Sequence, residues 1–448
     1  MDNQKKLSKV VLGIALPLAL QSLLGYMVNL LDTVMIGRMG TSGLSAVSQA
    51  NQIFFIVSMA IPGIADGANV LISQAWGNHD MERIHKVLAY AYRTAVGFII
   101  ILTAIVALFP ETVMGIYTND PLVIELGARY LRIVVWSYML YALSGMTTGV
   151  LRSVRIVKIA MYSSLVSLMI KTVANWLLIG GNLGFPALGI EGAALATLIA
   201  RAGEFLLVAV FVYWKEDKLQ IRLKKMRKLE GGLGGLYFKT SIPVICNEVF
   251  WAFGVSAQAI VLGRMGTDVV AANSICSAIT QLTAVLFHGI SSAACVIVGN
   301  TIGSGEWELL DELKKYFQKY SAIFGTIAGG LVLLAIPLVP YLYPIDGITL
   351  TYCRQLMIIT AIITPFQAVQ STNMMGVLRG GGDVHFQMLN DMIFLWGVTV
   401  PLGFLTGMYL QAPVMVVGIC LKCDQVIKVF TSEWRLRTGK WAHDMTGN

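Results

Sequence analysis

Six residues combine charge or strong hydrogen-bonding capacity with long apolar surroundings: Asp32, Lys171, Asn175 and Thr197 in the first half of the chain, Glu248 and Asp391 in the second. An ionisable group at membrane depth is costly unless it is hydrated, paired or neutralised, so such groups are the default candidates for handling protons, ions or charged solutes. At the helical rise per residue, Asp32 lies about 6 Å below the outer end of its apolar segment, Asn175 about 9 Å and Thr197 about 13 Å below theirs. Three segments thus bring polar groups to similar depth. Low-dielectric surroundings disfavour the charged form of a carboxylate. A carboxylate placed there can exchange a proton, a Na⁺ ion and a cationic solute. The plainer alternative for Asp32 is a helix-end carboxylate facing outside water. Lys171, one turn before Asn175, either pairs with Asp32 and competes with Na⁺, or extends its ammonium into water. Glu248 lies about 16 Å into its segment and Asp391 about 9 Å into its own from the opposite side. They form a second candidate site, or else hydrogen-bond hubs with partners such as Asn247, Gln281 or Lys422.

The segments that position these groups are predicted to cross a membrane. The chain is 56% hydrophobic and only 13% charged, with a mean hydropathy of +0.70, against about 25% charged residues in soluble domains. A crossing helix needs about 20 mostly apolar residues, and cutting at polar turns gives twelve such segments. They run over residues 10–36, 44–74, 87–109, 129–151, 159–181, 188–213, 237–262, 270–300, 316–340, 352–376, 385–410 and 412–432. Segments 2 and 8 are long enough to tilt or to run past the bilayer surface. The first is too long for a signal-peptide core and has no small-residue cleavage site after it. Lys and Arg concentrate on one side: Lys5, Lys6 and Lys9, the loops after even-numbered segments, and the tail with Arg435, Arg437 and Lys440. The opposite side has little beyond Arg38 and Arg264. That excess marks the cytoplasm, so both termini are expected inside a cell (inner or plasma) membrane. The net charge of +8 then reads as a topology and lipid-headgroup signal, with no nucleic-acid partner.

The chain also repeats itself. Gly37-Arg38-Met39-Gly40-Thr41 returns as Gly263-Arg264-Met265-Gly266-Thr267, an offset of 226 that also superposes Pro17 on Pro243 and Gly77 on Gly303. One residue further on, Gly149-Val150-Leu151-Arg152 meets Gly376-Val377-Leu378-Arg379. Each half holds six segments, an even number, so both start from the same side and the repeats are parallel. Parallel repeats in transporters place the solute site between the halves and rock one against the other. The expected architecture is therefore an all-α membrane protein: twelve transmembrane helices in two six-helix repeats, forming a two-lobed bundle around a central cavity. Its parts would be an N-lobe over residues 1–213, a basic cytoplasmic linker over 214–236, a C-lobe over 237–432 and a cytoplasmic tail over 433–448. Pro17 and Pro243 each remove a helical hydrogen bond at equivalent places and are candidate hinges, or else fixed kinks.

Several stretches also carry a family resemblance: "LLDTVMIGRMG", "GANVLISQAWG", "GVLRS", "NWLLIGGNLGFPALGIEGAALATLIAR", "IPVICNEVFWAFG" and "GVLRGGGDVHFQMLNDMIFLW". Together they resemble the multidrug and toxic compound extrusion (MATE) family, bacterial branch, over nearly the whole chain. The resemblance implies an antiporter in which H⁺ or Na⁺ influx drives export of small organic, often cationic, compounds by alternating access. It implies that Asp32, Asn175 and Thr197 belong to an N-lobe coupling network and that Glu248 and Asp391 match carboxylates of the branch. Lys171 departs from it, standing where the family usually has a second Asn, and this weighs against a family-type Na⁺ site and towards protons.

Other chemistries fit less well. A lipid or oligosaccharide flippase of related fold is the nearest alternative. A membrane-embedded transferase would need a carboxylate-rich loop at the interface, which is missing. Gly380-Gly381-Gly382-Asp383 lacks the GxxxxGK[ST] pattern of a phosphate loop. Cys420 and Cys423 have CxxC spacing without a second ligand pair and are read as helix-packing residues, as are the other cysteines. Arg201 and Glu204 are expected to pair locally along one helix, and Asp66 to be hydrated near the inner side. Neither an enzyme activity, a cofactor nor a metal is expected; the partners are a small organic substrate and membrane lipids, and a monomer is expected.

Overall fold

The computed structural model describes residues 2–37, 41–222, 231–343, 345 and 347–445. The middle of the first GRMGT copy (Arg38, Met39, Gly40) and much of the basic linker, including Lys224, Lys225, Arg227 and Lys228, lie outside them. The described residues are helical apart from turns, short connections and one isolated bridge between Gly382 and Ala442.

Among the described residues twelve main helical segments follow in order, here α1 to α12, with short helical turns at Pro110–Gly115, Asn182–Gly184, Ile336–Leu338 and Val339–Leu342 between them. The main segments are α1 (Asp2–Gly37), α2 (Thr41–Gly77), α3 (Met81–Leu108), α4 (Pro121–Val134 joined to Trp136–Ser153), α5 (Lys158–Gly180) and α6 (Gly189–Trp214). The second half has α7 (Gly231–Arg264), α8 (Thr267–Gly303), α9 (Leu309–Ala335), α10 (Gly347–Leu378), α11 (Val384–Tyr409) and α12 (Val414–Cys420 joined to Cys423–Arg437). Ten of them are single helices long and apolar enough to cross a membrane, and α4 is an eleventh if its two parts, bent by 50°, count as one span. The twelfth differs from the expectation, because Leu421 and Lys422 break it into two short pieces. In the second half, α10 and α11 contain π-helical stretches at Thr372–Leu378, Leu395–Thr399 and Leu405–Tyr409. Such insertions widen the helical turn and often accompany functional side chains.

The chain forms two compact units. One comprises Met1–Ala19, Ser73–Asp80 and Ile242–Asn448; the other comprises Leu20–Ile72 and Met81–Ser241. The first break falls just after Pro17 in α1, and the last just before Pro243 in α7. Within the second unit, α5 and α6 pack along each other as a hairpin. Gly181 ends α5 in a left-handed conformation at φ 66°, which glycine adopts without the steric cost a Cβ would bring. That turn reverses the chain, so α6 runs back along α5, with Gly192 against the backbone of Leu178 and Gly203 against the Ile170 side chain. Apolar side chains fill each unit and also coat its outside: Ile100, Ile101 and Ile105 of α3 are all exposed, as expected of a helix bathed in lipid.

The long helices α2 and α8 are the most buried of the spans, with 67% and 72% of their apolar windows enclosed. Their ends are fixed by a reciprocal contact inside the first unit. Gly77 lies against the backbone carbonyl of Asn300, while Gly303 lies against that of Gln74. Gln74 and Asn300 are themselves related by the 226 offset, so the two halves exchange the same contact. Asn300 Nδ2 donates to the Ser73 carbonyl (2.9 Å), and Gln74 Nε2 donates to the carbonyls of Gly380 (3.3 Å) and His443 (3.1 Å). No Cβ fits at either glycine without moving backbone. Overpacking of this kind costs about 1–3 kcal/mol or more. Gly303→Val is therefore expected to lower the thermal unfolding temperature of the detergent-purified protein clearly. Gly97→Ala, where a Cβ meets nothing within 4 Å, should leave it unchanged or raise it.

Candidate functional site

Four of the six residues singled out in the sequence lie in the unit that contains α5 and α6. Lys171 and Asn175 are four apart on α5 and so share a face. The Lys171 ammonium pairs with Asp32 Oδ2 from α1, and Asn175 Nδ2 donates to Asp32 Oδ1 at 3.0 Å. The Lys171 and Asp32 side chains are only 12% and 16% exposed, and Asn175 is fully buried. Of the two readings of Lys171, the structure has the pairing one. Thr197 does not touch Asp32. Its hydroxyl donates to the Ala193 carbonyl of its own helix (3.0 Å) and neighbours the Tyr130 hydroxyl of α4.

One turn further along α6, Arg201 pairs with Glu204 at 2.6 Å, as their spacing suggested. The Arg201 guanidinium also lies 5.4 Å from the Phe54 ring centre and 4.7 Å from that of Tyr141, within range of a cation–π attraction. This cluster is electrically balanced: two carboxylates, Asp32 and Glu204, answer two cations, Lys171 and Arg201.

Glu248 and Asp391 lie in the other unit, each with a basic partner. Glu248 Oε1 accepts from Arg379 Nη2 at 2.9 Å, and Arg379 Nε donates to Gln387 Oε1 at 3.2 Å. Asp391 pairs with Lys428 at 2.8 Å, and Lys428 pairs in turn with Asp424 at 2.9 Å. The structure supplies basic partners that the sequence did not suggest, Arg379 for Glu248 and Lys428 for Asp391. Arg379, read from sequence as a charge of the loop between α10 and α11, is 3% exposed. Its repeat equivalent Arg152 pairs with Asp66. Asp66 is therefore ion-paired as well as partly hydrated. The duplicated Gly-Val-Leu-Arg motif supplies a guanidinium to each half, and the acid that answers it comes from α2 in one case and α7 in the other. That shared arginine was the available signal.

Asp383 accepts from Arg435 Nε at 2.6 Å. The six cysteines are free, and Cys423 Sγ donates to the Cys420 carbonyl at 3.1 Å across the break in α12.

Apolar spans duplicated along the chain, with ion-paired acids in both halves, mark a polytopic membrane protein with the internal repeat that many transporters share. The MatE family model matches residues 17–177 and again 243–422, one match in each half, and the chain belongs to that family. A protein named "Probable multidrug resistance protein NorM" from Thermotoga maritima is 23% identical over 444 residues, which span 98% of this chain and 94% of that protein. "Probable multidrug resistance protein YoeA" from Bacillus subtilis is 24% identical over 410 residues, 90% of this chain and 88% of its own length. Among solved structures, a Vibrio cholerae MATE transporter matches with a TM-score of 0.89 at 15% identity over 99% of both chains. A MOP superfamily transporter from Pyrococcus furiosus matches at 0.86 with 18% identity, over 97% of this chain and 96% of that one. These structural likenesses concern the fold.

Breaking an enclosed ion pair from one side strands the other charge, at about 3–5 kcal/mol where burial is complete. Asp32→Asn is expected to destabilise the purified protein by no more than that, because both side chains keep some exposure. The double variant Asp32→Asn, Lys171→Met should recover part of the loss, as read by thermal unfolding in detergent.

Proposed function

We propose that this protein exports small organic compounds, cationic or amphipathic in character, across the cell membrane by alternating access, and that H⁺ influx drives the export. The observation that carries the reading is the Asp32–Lys171 pair. An ammonium bound to the carboxylate takes up the coordination that a Na⁺ ion would need, so the exchange open to this site is between a proton and the tethered cation. Protonating Asp32 removes the charge that holds Lys171. Lys171 then turns towards Asn175 and water, and the pair re-forms when the proton leaves. A two-position element of this kind can bias a conformational equilibrium, provided its two states interact differently with the rest of the unit. Membership of the MatE family and the names of the curated relatives support export of drug-like compounds. The basic loops support an orientation with both termini in the cytoplasm.

Pro17 and Pro243 serve in this reading as hinges. Each lies inside a continuous helix, within a few residues of a place where that helix passes from one compact unit to the other. A missing backbone hydrogen bond at that place lowers the cost of bending.

Efflux of a fluorescent organic cation from everted vesicles, under separate H⁺ and Na⁺ gradients, tests the coupling. Wild type should respond to H⁺. Asp32→Asn should lose at least ten-fold in initial rate, and Lys171→Asn should lose H⁺ dependence or acquire Na⁺ dependence. If Lys171→Asn keeps both rate and ion dependence, Lys171 has no part in coupling. Pro17→Ala with Pro243→Ala should slow turnover several-fold while leaving substrate affinity in detergent unchanged; unaltered turnover would count against hinges.

A further inference from the structure

We propose that Asp391, Asp424 and Lys428 form a proton-binding site in the second half of the chain, distinct from the Asp32–Lys171 pair. Its role in transport rests on the coupled-exporter reading above; its chemistry does not.

The geometry begins with the break in α12. Leu421 and Lys422 interrupt the helix, and the piece that restarts at Cys423 places Asp424 in its first turn and Lys428 one turn later on the same face. Asp391 reaches Lys428 from α11, one turn before the π-helical stretch at Leu395–Thr399. The Asp424, Lys428 and Asp391 side chains are 2%, 3% and 10% exposed. Two carboxylates here share one ammonium. This contrasts with the balanced cluster around Asp32, where two carboxylates meet two cations.

A second observation locates the deficit. Asp424 Oδ2 holds Lys428, but Asp424 Oδ1 is buried with no hydrogen-bond partner. A buried carboxylate oxygen without a donor is expensive, and bonding a proton there removes both the missing donor and the surplus charge. The other ionisable groups nearby do not supply that proton. Lys422, at the break, feels Asp424 electrostatically but is not ion-paired to it. Cys423 lies beside Thr399 (3.9 Å). Glu433, further along α12, is engaged by Gln318 (2.6 Å) and Arg437 (2.8 Å). Arg379 on the α10 side holds Glu248.

The ligand is a proton rather than Na⁺ because Lys428 already stands between the two carboxylates, in the position a bridging metal ion would take. The proton adds to one carboxylate to give a neutral carboxylic acid. It leaves by the reverse step through Asp391, the most exposed of the three.

Infrared pH-difference spectra of the full chain, purified and returned to lipid, test the site without any substrate. Wild type should show a protonated-carboxyl band that is lost or halved in both Asp391→Asn and Asp424→Asn and kept in Arg437→Gln. Lys428→Met, which leaves two acids without an ammonium, should gain carboxyl intensity. Asp424→Glu, which retains the carboxyl, should keep the band and so separates chemistry from misfolding. The proposal is overturned if both Asn variants leave the spectrum unchanged, or if Na⁺ at constant pH abolishes the wild-type band.

Everted vesicles carrying Asp424→Asn should then show at least a ten-fold drop in H⁺-driven ethidium efflux. Undiminished efflux would remove the site from coupling. Wild-type vesicles that move no substrate would instead count against the exporter reading, with the infrared result still deciding the triad.

Discussion

A charge inside hydrocarbon must be hydrated, paired or neutralised, and the ion pairs made between helices tie the arrangement of the fold to that demand. The cost of an unanswered ionisable group at membrane depth is several kcal/mol, comparable to the whole net stability of a domain. Glu204 and Asp424 are met by a base of their own helix, and four other acids by a base brought from another helix: Asp32 by Lys171, Asp66 by Arg152, Glu248 by Arg379 and Asp391 by Lys428. Only one of these four pairs unites neighbouring helices of the segment order, Asp391 with Lys428. The others span α1 to α5, α2 to α4 and α7 to α10, and therefore fix tertiary packing as well as charge.

The two halves meet the same demand with different residues. Both keep the motif arginine at the C-terminal end of the fourth helix of the repeat, Arg152 and Arg379. The scaffold around these arginines is duplicated, whereas the acids are not: the positions offset from Asp32 and Glu248 hold Gln258 and Ser22. One half carries a balanced cluster cushioned by the Phe54 and Tyr141 rings; the other carries an uneven triad beside a broken helix and π-helical turns. Sequence divergence after duplication has gone into electrostatics, while the apolar framework has stayed recognisable.

Much of the fold was legible because hydrophobic length is a local property. Ten apolar spans, an eleventh if the bent α4 counts as one, the two long helices and the repeat all follow from counting apolar residues and matching motifs. The bend inside α4 was not legible, since its residues are apolar enough to continue a span; at the break at Leu421-Lys422, the charges of Lys422, Asp424 and Lys428 were a signal that the apolar count passed over. In the candidate site, Asp32 and Asn175 were singled out from depth and from the family resemblance, Lys171 from its place one turn before Asn175 and its departure from that resemblance, and the Arg201–Glu204 pair from its spacing. Thr197 was placed at the right depth but faces its own helix, because rise per residue gives height and says little about rotation. Arg379 and Lys428 were missed for a related reason. Both sit close to segment ends, where a basic residue ordinarily reports membrane orientation, and only the folded chain turns them inward.

The exchange of glycine contacts between α2 and α8 has the form of an isologous interface: the same patch, used twice, with residue and partner swapped. Such a patch is self-complementary before any fusion of the halves. A chain of half this length could close on a second copy through it, and joining the copies by a linker would preserve the crossing while releasing each copy from the need to be identical. The glycines at positions 77 and 303 thus give one polypeptide a crossing with the two-fold form of a dimer interface.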